Sequence, residues 1–199
     1  MKPIALLVPL VLLAACNAQE GMPDLRSQLT PEVASQLPVR VMLVELPQAG
    51  SAALTGIDTV KGETVTWRSL EDQALTIQSG VVIASRGLAF DLMGSNIGLN
   101  PSDLFARYEY RDTSVRSFSF LDGENILTTM SYECRYDIQP PEIVARLNGR
   151  TELPFVSETC IRPGPDIENR YYFDSVGRQV TSKQWLGDIL GYAMVEFVN

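Results

Sequence analysis

Three acidic residues, Asp91, Glu133 and Asp174, stand among apolar or aromatic neighbours in the sequence. Such surroundings raise a carboxyl pKa and suit it to general-acid work. Two of them held about 5 to 9.5 Å apart would serve a glycan hydrolase or lyase. A second group is aromatic: Trp67, Tyr171, Tyr172 and Trp185, flanked by Asp174, Arg178 and Gln184. Sugar C–H faces stack on such rings while the polar side chains take hydroxyls. Each group has a plainer reading, since acids in an acidic chain are mostly solvated and large aromatics mostly fill cores. The third group is Cys16, Cys134 and Cys160 in a chain with no histidine. That absence removes Ser-His-Asp, Cys-His and histidine-metal constellations together, so neither a metal nor another cofactor is expected.

Cys16 closes the run LVLLAAC and is followed at once by polar Asn17, Gln19 and Glu20. Lys2, the apolar stretch Ile4 to Leu13 and the small pair Ala14-Ala15 have the architecture of a signal peptide. The apolar run is about half the roughly 20 residues a spanning helix needs. Leu13-Ala14-Ala15-Cys16 resembles a bacterial lipobox, which implies cleavage before Cys16, a diacylglyceryl group on its sulfur and a palmitate-type chain on its new amino group. Two or more such chains anchor a protein stably where one does not. Asn17 at the next position resembles the sorting signal of outer-membrane lipoproteins rather than that of inner-membrane ones. Cys134 and Cys160 are then left as a pair in an oxidising compartment, and a disulfide is expected rather than a redox or metal role, because no C-x-x-C spacing is present.

These residues have to be positioned by what surrounds them. At 199 residues and 45% hydrophobic composition the chain reads as a single folded domain. A net charge of -8 without a basic stripe excludes a nucleic-acid partner. Residues 1–15 read as the leader, 16–37 as the lipidated end and tether, and 38–199 as one β-rich periplasmic domain. A short helix is expected over Pro31 to Gln36, capped by Thr30, and another after Asn100-Pro101. Elsewhere VRVMLVEL, TVTWRSL, ALTIQS and their successors show strand character. Gly80, Gly87 and Gly94 match no phosphate-loop spacing and read as sheet geometry. Asn148-Gly149 predicts a type I′ hairpin that returns Cys160 along the sheet, and a second hairpin turns near Ser175 to Gly177. Hairpins with one or two short helices predict a mainly β fold, an antiparallel sheet curled into a barrel-like or sandwich form.

Two stretches carry a family likeness: TWRSLEDQALTIQSGVVIASRGLAFDLMGS and NRYYFDSVGRQVTSKQWLGDILGYAMVEFV. Trp67 precedes the glycine-bounded strand at Gly80 and Gly87; Asn169, Tyr171, Tyr172, Phe173 and Asp174 lead through Gly177 to Lys183-Gln184-Trp185-Leu186-Gly187. In these features the chain resembles the YjbF/GfcB family of lipoproteins, associated with group 4 capsule and exopolysaccharide production. Tyr172 departs from the tryptophan common in that motif. The resemblance implies a barrel-like fold, an outer-membrane lipoprotein facing the periplasm, and a non-enzymatic accessory role in polysaccharide assembly or export. Partners would then be the bilayer through acylated Cys16, and glycan or polysaccharide-export proteins of the envelope. A carrier of an apolar ligand held inside a barrel is the alternative.

Overall fold

In the computed structural model each strand pairs with its sequence neighbours except at one place, between β5 and β6. The structure describes residues 24–37, 39–108, 111–121 and 124–198; the leader and Cys16 lie outside them. The strands are β1 (Val41–Leu46), β2 (Ser51–Lys61), β3 (Thr64–Arg68), β4 (Ala74–Gln78), β5 (Val81–Arg86), β6 (Leu92–Ser95), β7 (Arg111–Leu121), β8 (Leu127–Arg146), β9 (Gly149–Cys160), β10 (Ile167–Phe173), β11 (Gln179–Trp185) and β12 (Tyr192–Val198). All pair antiparallel in one sheet, ordered β5-β4-β3-β2-β1-β12-β11-β10-β9-β8-β7-β6. First and last strands meet, with Val41 opposite Val198 and Glu45 opposite Met194. The result is a nearly closed barrel of the mainly β class expected.

The ladder is interrupted between β5 and β6, and side chains span that seam. Arg86 donates to the carbonyls of Leu92 and Met93, each at 3.2 Å, and Leu92 N–H donates to Ser85 Oγ at 2.9 Å. The free edge of β5 is met from across the interior by β11. Gln184 Oε1 accepts from Val82 N–H at 2.7 Å and its Nε2 donates to the Gly80 carbonyl at 2.9 Å. An edge whose backbone groups are satisfied in this way offers no template for another strand.

Among the described residues three short α-helices accompany the strands. Pro at the first position and a side-chain cap start two of them, α2 (Pro31–Ser35) from Thr30 and α3 (Pro101–Arg107) from Asn100, as the sequence leads one to expect. The first, α1 (Leu25–Gln28), falls in the segment read as tether. From residue 24 onward that segment lies against the barrel wall, where Leu29 is buried with Leu43 and Val198.

The hairpin at Asn148-Gly149 exists but turns one residue earlier than a type I′ turn would. Its turn residues are Leu147 and Asn148, and Gly149 alone of the three has a positive φ, +109°. The cause is tertiary: Leu147 N–H is drawn to Glu196 Oε1 at 3.0 Å. The register of β8 on β9 shifts between Gln139 and Glu142, at the Pro140-Pro141 pair, and bulges of this kind bend a strand. Beyond it the hairpin lies on the outer side of the barrel, where Val144, Leu153 and Phe155 bury against Tyr172 and Val180.

Candidate functional site

The period-two geometry of strands decides which chemistry-bearing residues face inward. Cys134 stands directly opposite Cys160 on β8 and β9, and the two sulfurs are joined in a disulfide as expected. Two residues along each strand, on the same face, come Tyr136 and Glu158, themselves paired. Glu158 is fully buried. Its carboxylate accepts from Arg116 Nη1 at 2.9 and 3.0 Å, from the Tyr136 hydroxyl at 2.6 Å, from the Tyr171 hydroxyl at 2.7 Å and from Asn169 Nδ2 at 2.8 Å. Arg116, also buried, donates in addition to Ser95 Oγ at 3.0 Å. Asn169 turns its Oδ1 to Trp185 N–H at 2.7 Å, which ties β10 to the end of β11.

Burial in this network acts on each ionisable group. Desolvation pulls the Arg116 pKa down, but Glu158 together with Tyr171 and Tyr136 outweighs it, and the guanidinium is held above its ordinary value. Burial first and the neighbouring carboxylate second push the Tyr136 phenol up. Tyr171 is driven up in the same way, with Arg116 opposing. The arrangement is an ion pair whose lone pairs and protons are largely engaged, the condition under which a buried charge is tolerated. Cys134, Cys160 and Glu158 bring candidate ligand atoms within 4.8 Å of one another, but the disulfide occupies both sulfurs.

The remaining sequence candidates separate. Trp67 is buried in the main core, its ring 6.0 Å from that of Phe197. Tyr171 belongs to the ionic network and Gln184 to the β5 edge. Tyr172 is buried on the outer side of the sheet and donates to Glu142. These four have no surface to present to a glycan. Asp174 closes the β10–β11 turn, accepting from Val176 N–H, Arg178 N–H and Arg178 Nε at 2.9 to 3.0 Å. Partial burial raises its carboxyl pKa, but the Arg178 and Val176 donors prevail and hold it below the ordinary value. Asp91 likewise holds a turn, accepting from Ser85 Oγ and from the N–H groups of Gly87 and Leu88. Glu133 is exposed on β8, on the face opposite Cys134.

Only Asp91 and Trp185 of these residues share a cavity. It is an open groove of about 590 Å³ at one end of the barrel. Its walls come from the β5–β6, β7–β8 and β11–β12 connections. Phe90, Phe120 and Trp185 supply rings, Leu121, Ile189 and Leu190 aliphatic surface, and Asp91, Asn125, Thr128 and Asp188 polar groups. Trp185 is held edge-on by Phe118 and Phe120, at ring centroids 5.1 and 5.8 Å away. The Arg162 guanidinium lies 5.1 Å over its face and also pairs with Asp188 at 2.7 Å. Gly187, at φ +127°, lets the loop pass Phe120, whose ring would lie 3.0 Å from an added Cβ. Phe120, Phe90 and the ionic partners Arg116, Glu158 and Asn169 were not singled out as site residues from the sequence.

The class is thus a nearly closed antiparallel barrel with a buried ion pair inside and an aromatic-lined groove at one end. Residues 19–198 match the family described as group 4 capsule polysaccharide lipoprotein GfcB, YjbF, and the chain belongs to that family. Among solved structures it is similar to the hypothetical lipoprotein YmcC from Escherichia coli K12. That likeness has a TM-score of 0.72 at 17% identity, covering 88% of this chain and 91% of the other, and it bears on the fold alone. No curated protein matches the sequence.

Proposed function

We propose that the protein is a non-enzymatic accessory lipoprotein of capsule or exopolysaccharide assembly and export, anchored at the periplasmic face of the outer membrane through Cys16. Its working surface, in this reading, is the groove where exposed Phe90 and hydrogen-bonding groups stand beside the partly buried Phe120 ring and above buried Trp185. The match to a capsule polysaccharide lipoprotein family over nearly the whole chain carries the reading. The hydrolase reading loses its motive because Asp91 alone of Asp91, Glu133 and Asp174 lines the groove. The carrier reading loses its motive because the barrel interior is occupied by the disulfide, the Glu158 network and the main core.

Trp67 is buried in the core and Trp185 lines the groove, so fluorescence of a Trp67→Phe protein reports the groove. Titrating it with the polysaccharide of the native host should give a saturable change, weakened at least tenfold by Phe90→Ala. A flat titration with a well-folded protein would discard the glycan-binding version. Loss of the gene should lower surface polysaccharide, and unchanged export would remove the accessory role itself.

A further inference from the structure

The place where the chain leaves the described structure bears on which way the groove points. The chain enters β1 at Val41, opposite Val198. Reading back from there, α2 and α1 run along the outer wall. Leu29 packs on Leu43 and Val198, and Arg26, three residues earlier, reaches the other end of β1. Its Nε and Nη2 donate to the Glu45 carboxylate at 2.9 and 2.7 Å and its Nη1 to Glu196 at 2.7 Å. Glu45 leads directly into the turn Pro47–Ala49. In that turn Gln48 Nε2 donates to the carbonyls of Asp188 and Ile189, at 3.2 and 3.0 Å. Asp188 and Ile189 line the groove. The Arg26 side chain thus reaches the half of β1 that leads to the groove end, and the eight residues from 24 back to Cys16 span no more than roughly 28 Å when fully extended.

That end also carries exposed apolar side chains on all three groove connections. Phe90 is 49% exposed, Leu121 43%, Leu127 59% and Ile189 55%. Of the described acids that line the groove, Asp91 is matched by a hydroxyl and two N–H groups and Asp188 pairs with Arg162, while Glu71 and Asp72 stand exposed on the adjacent β3–β4 connection. The tips of β2–β3 and β10–β11, at the opposite end, present Lys61, Glu63 and the Asp174–Arg178 pair beside exposed Val60 and Val176. A rim of clustered exposed rings and aliphatic side chains is the kind of surface that enters a bilayer interface.

We propose that the groove end of the barrel faces the bilayer in which Cys16 is anchored, with Phe90, Leu121, Leu127 and Ile189 seated in the interfacial layer, so that the groove opens at the membrane surface. This rests on the reading of Cys16 as a lipid anchor. The test uses the lipidated full chain in phosphatidylcholine vesicles, with an environment-sensitive fluorophore on Ile189→Cys or on Val176→Cys. Val176 is 72% exposed in the β10–β11 turn at the opposite end. Lipids carrying a spin label at headgroup depth should quench the Ile189 probe at least threefold more than the Val176 probe. Equal quenching of the two in protein that floats with the vesicles overturns the inference while leaving the anchor intact. An Ile189 probe shielded from water but not quenched by lipid means that another protein surface, such as a second copy, covers the rim, and this also overturns it. Protein that fails to float, with Cys16 unmodified by mass spectrometry, removes the anchor reading and the inference with it.

Discussion

Glu158 shows how one residue can hold a barrel interior to a single arrangement. Its carboxylate gathers partners from β7, β8 and β10, so strand positions that shift relative to one another lose several hydrogen bonds together. Removing one member of a buried pair leaves the other uncompensated, at a cost of about 3 to 5 kcal/mol. Glu158→Gln should therefore lower unfolding free energy in urea by an amount in that range. The double change Arg116→Met with Glu158→Gln should be less harmful than Glu158→Gln alone, since no buried charge then remains and the amide oxygen still accepts from the tyrosine hydroxyls. Much of this pair was present in the sequence in latent form. Once Cys134 and Cys160 are taken as inward-facing, alternation places Tyr136 and Glu158 inward as well. Arg116 had no such marker, because its strand RDTSVRSFSF alternates without a flanking cysteine. Gly98 completes the site at close quarters. With φ at +63°, an added Cβ would lie 2.4 Å from the Tyr136 hydroxyl and 2.8 Å from Arg116 Cδ.

Among the elements, the segment from Asn169 to Gly187 shows what the family motif does in this chain. Asn169 joins Glu158 to Trp185 N–H, Asp174 and Arg178 close the turn, and Gln184 satisfies the edge of β5. Asp174, Arg178 and Gln184, which the sequence suggests as polar groups flanking a glycan contact, instead hold β10, β11 and β5 together. The strands themselves were legible through alternation and turn residues. The contact of Gln184 with β5 was not, because it joins residues 102 positions apart and nothing local signals it. Gln184→Leu should leave Val82 N–H without its acceptor and destabilise the protein by about 1 to 3 kcal/mol. Hydrogen exchange at Val82 should accelerate more than exchange at Val195 in β12, since the defect lies at the β5 edge. Equal acceleration at both sites would mean that the side chain supports the whole sheet rather than that edge.

For the molecule as a whole, the mainly β architecture, the disulfide and the family were all readable before the structure. The bend of the β8–β9 hairpin, which follows the register shift at Pro140-Pro141, and the docking of α1, held through Glu196, were not. That carboxylate, 2% exposed, accepts from Arg26, Arg146 and Leu147 N–H and so joins the two ends of the outer layer. The pH dependence of global stability follows from the interior phenols. Tyr136, Tyr171 and Tyr172 are raised above the ordinary tyrosine value, each by burial first and a glutamate next. A raised folded pKa contributes stability that is whole below about pH 10, the unfolded value, and is lost as pH rises beyond it toward the folded value. Tyrosinate absorbance from Tyr136, Tyr171 and Tyr172 should therefore appear only with unfolding at high pH. A single smooth titration of all seven tyrosines, with the fold intact, would contradict the buried hydrogen bonds described.

The grip of Arg26 on Glu45 and Glu196 has a mechanical consequence. A pull on the chain ahead of Arg26 is met first by this clamp rather than by the mouth of β1. Since Glu45 belongs to β1 and Glu196 to β12, the load is shared across two neighbouring strands, along their length, and is not delivered as a peeling force on either one.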